Sequence, residues 1–333
     1  MMKQMHCYNE KPALTIKAKL SFLHGQVRVL ATGKESIICD PIGSISHINL
    51  NSLSLKGPLH TLNFSSLPNL IDFHISNNSF YGTIPHQIGN LSRLSSFLID
   101  HNNLTGNIPS EIVQLSMLYE VNLDANFFNG TIPKEIGKLR KLHWLSINTC
   151  NFSGSIPISA GKLTNLTYLN LANNQISGSV PREIGQLHNL EHLILESNDI
   201  SGSIPDEIGM LRNIVELDLS NNYLSGQIPS NITDLTKLII LSLSKNSLSG
   251  SIPASIGKLA NLEILELSQN KLNSSIPSSI GHLTKLTKLS LSSNSLSGSI
   301  LASIGTLVNL EILDLSKNKL TSSIRSSIGN SNS

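Results

Sequence analysis

Two short patterns in this 333-residue chain resemble sites for a metal ion or a phosphate group. His188 and His192 are four residues apart, like zinc-binding histidines on a helix, but they lack the glutamate of the H-E-x-x-H motif. Lys34 follows Gly33 as in a phosphate-binding loop, yet Arg28 stands where that loop needs its first glycine. We therefore expect no metal site and no cofactor.

The nucleophilic residues do not predict an enzyme either. Serines recur at fixed spacing without a matching His and Asp arrangement, and the kinase motifs H-R-D and D-F-G do not occur in the sequence. Three cysteines, Cys7, Cys39 and Cys150, lack C-x-x-C spacing and are too few for a disulfide framework, and a Cys7–Cys39 pair stays open. We expect a non-catalytic chain.

Composition narrows the class of partner. The chain is 39% apolar and 14% charged with a net charge of +2, which supports a buried core but not nucleic-acid binding. No run of 18 apolar residues predicts a membrane-spanning helix, and lysines interrupt every apolar stretch before Leu20, so no secretion signal is visible. Leucine is unusually frequent, with 54 residues against 14 aromatic ones, and this favours a repeat.

The leucines and asparagines recur every 24 residues in the pattern L-x-x-L-x-L-x-x-N. We predict an irregular segment with a degenerate cap over residues 1–44, an atypical first repeat over 45–69, and eleven regular repeats over 70–333. Cys150 fills one asparagine slot, where we expect it to be buried and structural. The other slots form a predicted ladder: Asn78, Asn102, Asn126, Asn174, Asn198, Asn222, Asn246, Asn270, Asn294 and Asn318.

Each part of a repeat has a predicted role. Leu241 and Leu243 point inward and alternate with outward Ile240, Ser242 and Ser244, which is typical of a short strand. The following asparagine can bond backbone groups at the turn. Gly226 then permits an unusual backbone angle, and an I-G-x-L segment suits one turn of a tight helix. These features predict an α/β solenoid with a parallel concave β-sheet and short 3-10 or irregular convex segments.

The consensus L-x-x-L-x-L-x-x-N-x-L-S-G-x-I-P-x-x-I-G-x-L resembles the plant-specific class of leucine-rich repeat, and so implies a leucine-rich repeat superhelix. That class is typical of the ectodomains of plant receptor-like kinases and receptor-like proteins and of polygalacturonase inhibitors. Residues 43–50 and 62–70 resemble the cap and first repeat of one peptide-perceiving subgroup of receptor-like kinases. The family's serine/threonine kinase domain is not found in this sequence.

The ends of the chain depart from the family pattern. The family's cap carries a tryptophan and a cysteine pair, whereas only Cys39 and Asp40 of that motif are present and the single tryptophan is Trp144. Leu301 and Arg325 occupy proline positions of the last repeats. We interpret the chain as a truncated member of the family.

Outward strand positions are predicted to form a ligand-binding concave surface about 48 Å long, from the spacing of neighbouring strands. Trp144 beside Tyr168 is the expected anchor, acidic neighbours favour a basic ligand, and the serine- and isoleucine-rich later repeats are interpreted as a spacer. The predicted ligand-binding residues are Asp72, His74, Asp100, Glu120, Asp124, Trp144, Tyr168, His192, Glu196, Glu216 and Asp218.

Nine N-x-Ser/Thr sequons favour a secreted glycoprotein. We expect the sequons at Asn103 and Asn151 to be hindered by the strand edge. The candidates are Asn63, Asn77, Asn90, Asn103, Asn129, Asn151, Asn165, Asn231 and Asn273. The family resemblance implies a location at the plasma membrane or outside the cell. The lack of a recognisable signal peptide does not agree with that location.

The sequence thus favours a non-catalytic ligand-binding module of a plant cell-surface receptor, acting in signalling or defence. Its expected partners are a peptide or protein ligand and a co-receptor ectodomain, with no nucleic acid and no membrane-spanning segment. Two alternatives stay open at this point: a free-standing polygalacturonase-inhibitor-like protein, and a truncated product with no function of its own.

Overall fold

The computed structural model describes residues 15–16, 29–30, 36–300 and 302–321. The chain divides into two compact units, Met1–Leu166 and Thr167–Ser333, which are described separately below. Both are built from 24-residue coils in which a strand of one sheet, a turn, a strand of a second sheet and a short 3-10 helix follow one another.

Alternation of side chains along the first-sheet strand builds the core of each coil. Leu241 and Leu243 are 1% and 0% exposed, whereas the side chain of Ile240, on the opposite face of the same strand, is only half-buried. Because one coil cannot bury its apolar face alone, neighbouring coils must share a core, and Leu241 lies in register with Leu217 and Leu265. Burial of each leucine stabilises the coil by roughly 2 kcal/mol.

The first unit contains a parallel sheet that ends in an antiparallel hairpin. Ser36–Cys39 pairs antiparallel with Ile45–Asn49, and Asp40 closes the hairpin by accepting the N–H groups of Ile42 and Ser44. The first sheet continues with Asp72–His74, Ser96–Leu98, Glu120–Asn122 and Trp144–Ser146. A separate antiparallel pair is formed by Thr15–Ile16 and Val29–Leu30.

The remaining elements of the first unit form the second sheet and the row of 3-10 helices. The second-sheet strands are Lys56–Pro58, Ser79–Gly82, Asn103–Gly106, Phe127–Thr131 and Asn151–Ser155. The 3-10 helices are Leu59–Thr61, Phe64–Ser66, His86–Asn90, Ser110–Gln114, Ile136–Lys138 and Ile158–Lys162. Stacked phenylalanines, such as Phe73 and Phe97 with ring centroids 5.8 Å apart, fill its core.

The second unit repeats the same elements. Its first-sheet strands are Tyr168–Asn170, His192–Ile194, Glu216–Asp218, Ile240–Ser242, Ile264–Glu266, Lys288–Ser290 and Ile312–Asp314. Its second-sheet strands are Gln175–Gly178, Asp199–Ser203, Tyr223–Gln227, Ser247–Gly250 and Lys271–Leu272, and Ser297–Gly298 pairs with Lys319–Leu320. Its 3-10 helices are Arg182–Gln186, Asp206–Met210, Ser230–Asp234, Ile256–Lys258, Ser278–His282 and Ala302–Thr306.

The predicted asparagine ladder is present, and within each unit its asparagines bond the coil before them, as Asn126 and Asn222 do. Asn222 Nδ2 donates to the carbonyls of Leu195, Leu219 and Ser220 at 3.0 to 3.3 Å. Its Oδ1 accepts the N–H of Ile200 at 3.0 Å. Since Asn222 is only 7% exposed, these four bonds satisfy backbone groups that water does not reach.

The residue before each ladder position has a left-handed backbone. Eleven consecutive coils place a non-glycine residue there with φ between 50° and 56°, among them Ala125, Thr149 and Lys245. This conformation is unfavourable for most side chains, and more so for β-branched ones. Where the slot holds a residue other than asparagine, as at Ala125, Thr149 and Lys245, the turn into the ladder stores backbone strain.

A glycine with φ between 73° and 86° follows the ladder position by four residues in nine coils, including Gly250 and Gly298. Ser274 occupies this slot in one coil with φ 71°. At that coil the second sheet shortens to Lys271–Leu272, and an isolated bridge between Ser275 and Ser297 is the further pairing. The substitution of the glycine thus coincides with a break in the second sheet.

Candidate functional site

The open face of the first sheet, meaning the side chains six, four and two residues before each ladder position, holds all the predicted ligand-binding residues. In the first unit these slots contain no lysine or arginine. Asp72, Asp100, Glu120 and Asp124 are half-buried on this face, and Trp144 is 37% exposed. The open face of the first unit is therefore acidic.

A hydrogen-bonded chain links three coils of the first unit. His74 Nε2 lies 2.8 Å from Ser96 Oγ, which in turn donates to Glu120 Oε2 at 3.1 Å. His47 Nε2 lies 3.4 Å from Asp72 Oδ2. The carboxylates are thus held in fixed positions by histidine and serine rather than by lysine or arginine.

Burial shifts the pKa values of two groups on this face. Desolvation lowers the pKa of His74 against the opposing effect of Asp72 and Glu120, so the imidazole is neutral at pH 7. Desolvation raises the pKa of Asp124, although Ser146 Oγ donates to its carboxylate at 2.7 and 2.8 Å.

In the second unit the structure brings Tyr168, His192 and Glu216 together on adjacent strands. The rings of Tyr168 and His192 have centroids 5.6 Å apart, and His192 Nδ1 lies 2.9 Å from Glu216 Oε2. Parallel pairing in register places the three residues in one row across the sheet. They form an aromatic, imidazole and carboxylate row.

Two further carboxylates lie next to this row. Burial raises the pKa of Asp218, and burial followed by the charge of Asp218 raises the pKa of Glu196. Glu216 adds like charge to both groups. A cluster that raises the pKa of its own carboxyl groups gains stability when a cation binds to it.

The later strands of the second unit offer a different surface. Ile240 and Ile264 occupy the slots that hold Tyr168, His192 and Glu216 in the earlier strands, and Glu266 is paired with Lys288. Ser242 and Ser244, predicted to point outward into solvent, are only 4% and 8% exposed. Ser242 Oγ donates to Glu266 Oε2 at 3.4 Å, and Ser244 Oγ accepts from Ser268 Oγ at 3.1 Å.

An aromatic edge of the first unit was not predicted from the sequence. Tyr119 and His143 stack with centroids 4.2 Å apart at 22°, one residue before the strands of Glu120 and Trp144. Tyr119 is 49% exposed, and Met117 beside it on the chain is 44% exposed. The sequence could have shown this edge, because Tyr119 and His143 are aromatic residues 24 positions apart, each one residue before a strand.

The described cysteines have structural roles. Cys150 is a free, buried thiol, as predicted, and burial raises its pKa to about 11. Its sulfur lies 3.5 Å from the carbonyl of Leu123, in the place of a ladder amide. Cys39 is disulfide-bonded at the end of its hairpin strand; Cys7 lies outside the described residues.

The sequons differ in accessibility, but not as expected. Asn103 and Asn151 are exposed, so the expectation that the strand edge hinders them is wrong. Asn231 is the hindered site, because its Oδ1 is buried and its Nδ2 donates to the carbonyl of Asp206 at 2.5 Å. The remaining sequons are exposed at Asn63, Asn77, Asn90, Asn129, Asn165 and Asn273.

Comparison with known families identifies the repeat. The family described as a leucine-rich repeat region matches residues 182–328, and related leucine-rich repeat models match residues 140–200 and 69–91. A leucine-rich repeat protein of Leptospira interrogans is 31% identical with a TM-score of 0.65, and the match covers 83% of this chain and 74% of that one. The chain belongs to the leucine-rich repeat family. The predicted solenoid fold is confirmed.

Plant receptor ectodomains are among the solved structures similar to this leucine-rich repeat chain. A plant peptide hormone receptor, RGFR1 in complex with RGF2, is 36% identical with a TM-score of 0.82, covering 86% of this chain and 46% of that one. The Arabidopsis receptor kinase HAESA, in complex with the peptide hormone IDA and the co-receptor SERK1, is 33% identical with a TM-score of 0.72, covering 84% and 50%. The repeats are thus of the plant receptor-ectodomain type, as the consensus predicted.

This leucine-rich repeat chain spans less than half the length of the first plant receptor structures it matches. No curated protein matches it. Within the described residues, no helix has the length and apolar character needed to cross a bilayer. In the same part of the chain, His, Cys, Asp and Glu do not gather in groups of three that could hold a metal ion.

Proposed function

We propose that this chain is the ligand-binding module of a plant cell-surface receptor and that it recognises a basic peptide on the open face of the first sheet. The observation that carries the proposal is the cluster of Glu196, Glu216 and Asp218 beside Tyr168 and His192. The pKa values of Glu196 and Asp218 are raised by burial and by like charge, so a lysine or arginine would relieve an existing repulsion.

Each group in the cluster has a distinct role in this proposal. Tyr168 supplies an aromatic surface against which an apolar residue or a cation packs. Glu216 is oriented by His192 at 2.9 Å, and Asp218 is oriented by the N–H of Ser220 at 2.9 Å. The acidic slots of the first unit would bind further basic residues in the same way. Trp144 is proposed as an aromatic anchor of the first unit.

Similarity to plant receptors in complex with peptide hormones supports a peptide as the ligand, and the HAESA complex supports a co-receptor as a second partner. Eight exposed sequons support a secreted, glycosylated receptor part. Signalling would then depend on the peptide drawing the co-receptor to this chain. This role needs no catalytic group in the module itself.

Calorimetric titration with synthetic peptides of about 14 residues, a length matched to the strand spacing, tests the proposal. Three peptides of shared apolar composition carry net charges of +4, 0 and −4. The basic peptide is expected to bind at least about tenfold more tightly than the others, and Glu216→Gln with Asp218→Asn to weaken it by about tenfold.

The matched control is Glu263→Gln with Asp314→Asn, which removes two carboxylates from the edge and the later strands of the same unit. It is expected to leave basic-peptide affinity within about twofold. Equal affinity for all three peptides, or an equal loss in both double variants, overturns the proposal.

A further inference from the structure

A row of cations on the 3-10 helix side of the first unit is not used by the proposed receptor function. Lys134, Lys138 and Arg140 belong to one coil and Lys162 to the next, and all four side chains are exposed. Between residues 134 and 162, Glu135 is the one carboxylate in the sequence. Glu135 lies among them, so four positive charges outnumber one negative charge at this place.

These four cations differ in ion pairing from Arg182 and Arg212, which lie on the same side of the coils in the second unit. Arg182 lies 3.4 Å from Glu183, and Arg212 lies 3.4 Å from Asp234. Among the described residues, the four cations make no ion pair with a carboxylate. Like charges gathered without partners raise the local potential and attract anions.

The four cations and Glu135 line a cleft of 470 Å³ between the two coils. Its floor is formed by Gly137 and Ser159, and the Gly137 N–H lies 3.4 Å from Ser159 Oγ. Ser159 Oγ donates to the carbonyl of Lys134 at 2.5 Å. A Cβ on Gly137 would collide with the Ser159 backbone, so the two coils can approach this closely only because residue 137 is glycine. The floor is internally bonded, so the unpaired charges of the walls are the groups left to bind a ligand.

We propose that this cleft binds an acidic polysaccharide, a linear chain of carboxylate-bearing sugars. The cations are spread over two coils and are exposed, which suits charges repeated along a chain rather than one compact anion. Arg140 offers the planar fork that carboxylates accept in pairs, and lysine stems provide apolar walls for sugar rings. The cleft volume lies in the range of ordinary small-ligand sites.

Nucleic acid fits the molecule less well. Binding to a phosphate backbone depends on a large positive field, whereas the chain has a net charge of only +2 and an acidic open face. The basic cluster is local, and it spans two coils. A polysaccharide segment of a few sugars matches that extent.

Fluorescence anisotropy with a labelled, fully de-esterified ten-sugar oligogalacturonate tests the inference at 150 mM salt on the full chain. We expect saturable binding, and at least about tenfold weaker binding in Lys138→Gln, Arg140→Gln, Lys162→Gln, because three charge contacts are removed. The matched control Lys237→Gln, Lys258→Gln, Lys285→Gln removes three exposed cations elsewhere; Lys258 occupies the same repeat slot as Lys138 and Lys162. It is expected to bind within about twofold of the wild type.

Two further probes make the result specific: the methyl-esterified oligomer, which is neutral, and a thymidine oligonucleotide of equal charge number. Weak binding of both supports the inference. The inference is overturned if the acidic oligomer does not bind, or if the methyl-esterified oligomer or the oligonucleotide binds as tightly as the acidic oligomer. An equal loss of affinity in the control triple variant also overturns it. Circular dichroism and melting of each variant establish that the coils stay folded. Since these residues lie off the open face, failure here leaves the peptide proposal intact, and the reverse also holds.

Discussion

Two regions of the first sheet share one backbone and differ in their outward side chains. From Asp72 to Asp218 the open face carries acids, histidines and aromatic rings, whereas from Ile240 to Asp314 it carries mainly isoleucine and serine. Inward leucines and ladder asparagines are present in both regions, and strands pair in parallel register in both. The coil is thus specified by the inward and ladder residues, and the outward residues are free to specify binding.

The largest expected effect comes from breaking the shared ladder. Asn222→Ala and Asn294→Ala each remove four hydrogen bonds, and we expect each to lower the free energy of unfolding by about 3 kcal/mol, since buried partners stay unsatisfied. Chemical denaturation measures it, with Glu216→Gln as a control expected to change little. A large loss of unfolding free energy in one region and none in the other would show that the ladder does not stabilise both regions alike.

Ser274→Gly is expected to stabilise the chain by about 1.5 kcal/mol, because glycine adopts φ 71° without steric cost. The matched variant Ser249→Gly places glycine inside the strand Ser247–Gly250 and is expected to cost about 0.5–1 kcal/mol. Denaturation midpoints give both values. Destabilisation by Ser274→Gly would mean that the serine has a bonding role that outweighs its backbone strain.

Thr149→Asn is expected to stabilise by about 1 kcal/mol, because asparagine tolerates the left-handed conformation that a β-branched residue does not. The reverse change Asn173→Thr, in the same slot, is expected to destabilise by a similar amount. Opposite shifts in the thermal midpoint test the pair. Shifts of the same sign would count against backbone strain as their cause.

The smallest expected effect is a pH-dependent contrast between the same slot in the two regions. Burial raises the pKa of Asp218, so its charge destabilises the fold above that pKa, and Asp218→Asn should raise Tm at pH 7 by about 1 °C. Hydrogen bonds from Ser292 and Ser316 lower the pKa of Asp314, so its charge stabilises the fold, and Asp314→Asn should lower Tm.

The Asp218 difference is expected to fade as the pH falls through its raised pKa to about 4, where the unfolded carboxyl also protonates. The Asp314 difference is expected to persist down to about pH 4 and to fade only below it, as the pH falls through its lowered pKa. Differential scanning calorimetry across this range measures them. Equal and pH-independent shifts would show that packing, not charge, separates the two variants.

The period, the ladder, the glycine slot and the 3-10 helices could be predicted because each depends on residue types that recur every 24 positions. The left-handed slot could not, since Ala125, Thr149, Lys245 and several other residue types fill it and share no chemistry. The cleft lined by Lys134, Lys138, Arg140 and Lys162 could not be predicted from the sequence for a related reason. Lys134 and Lys162 occupy different slots in different coils, so their proximity arises only from stacking.

The open-face residues could be assigned to their side of the sheet from alternation alone. Their electrostatic state could not, because it depends on burial and on charges in neighbouring coils, as at Glu196. The accessibility of Asn103 and the hindrance of Asn231 likewise depend on which backbone groups the next coil offers.

The ladder gives the solenoid a direction. Within the second unit, the Oδ1 of a ladder asparagine protects an N–H of the coil before it, as Asn222 does for Ile200 and Asn318 does for Leu296. Opening one coil therefore exposes an amide in its predecessor and none through this bond in its successor. The N–H groups that the ladder protects, such as those of Ile200 and Leu296, should therefore exchange when the following coil opens. The N–H at a strand start, such as that of Val215, donates to Glu191 and should exchange when the preceding coil opens.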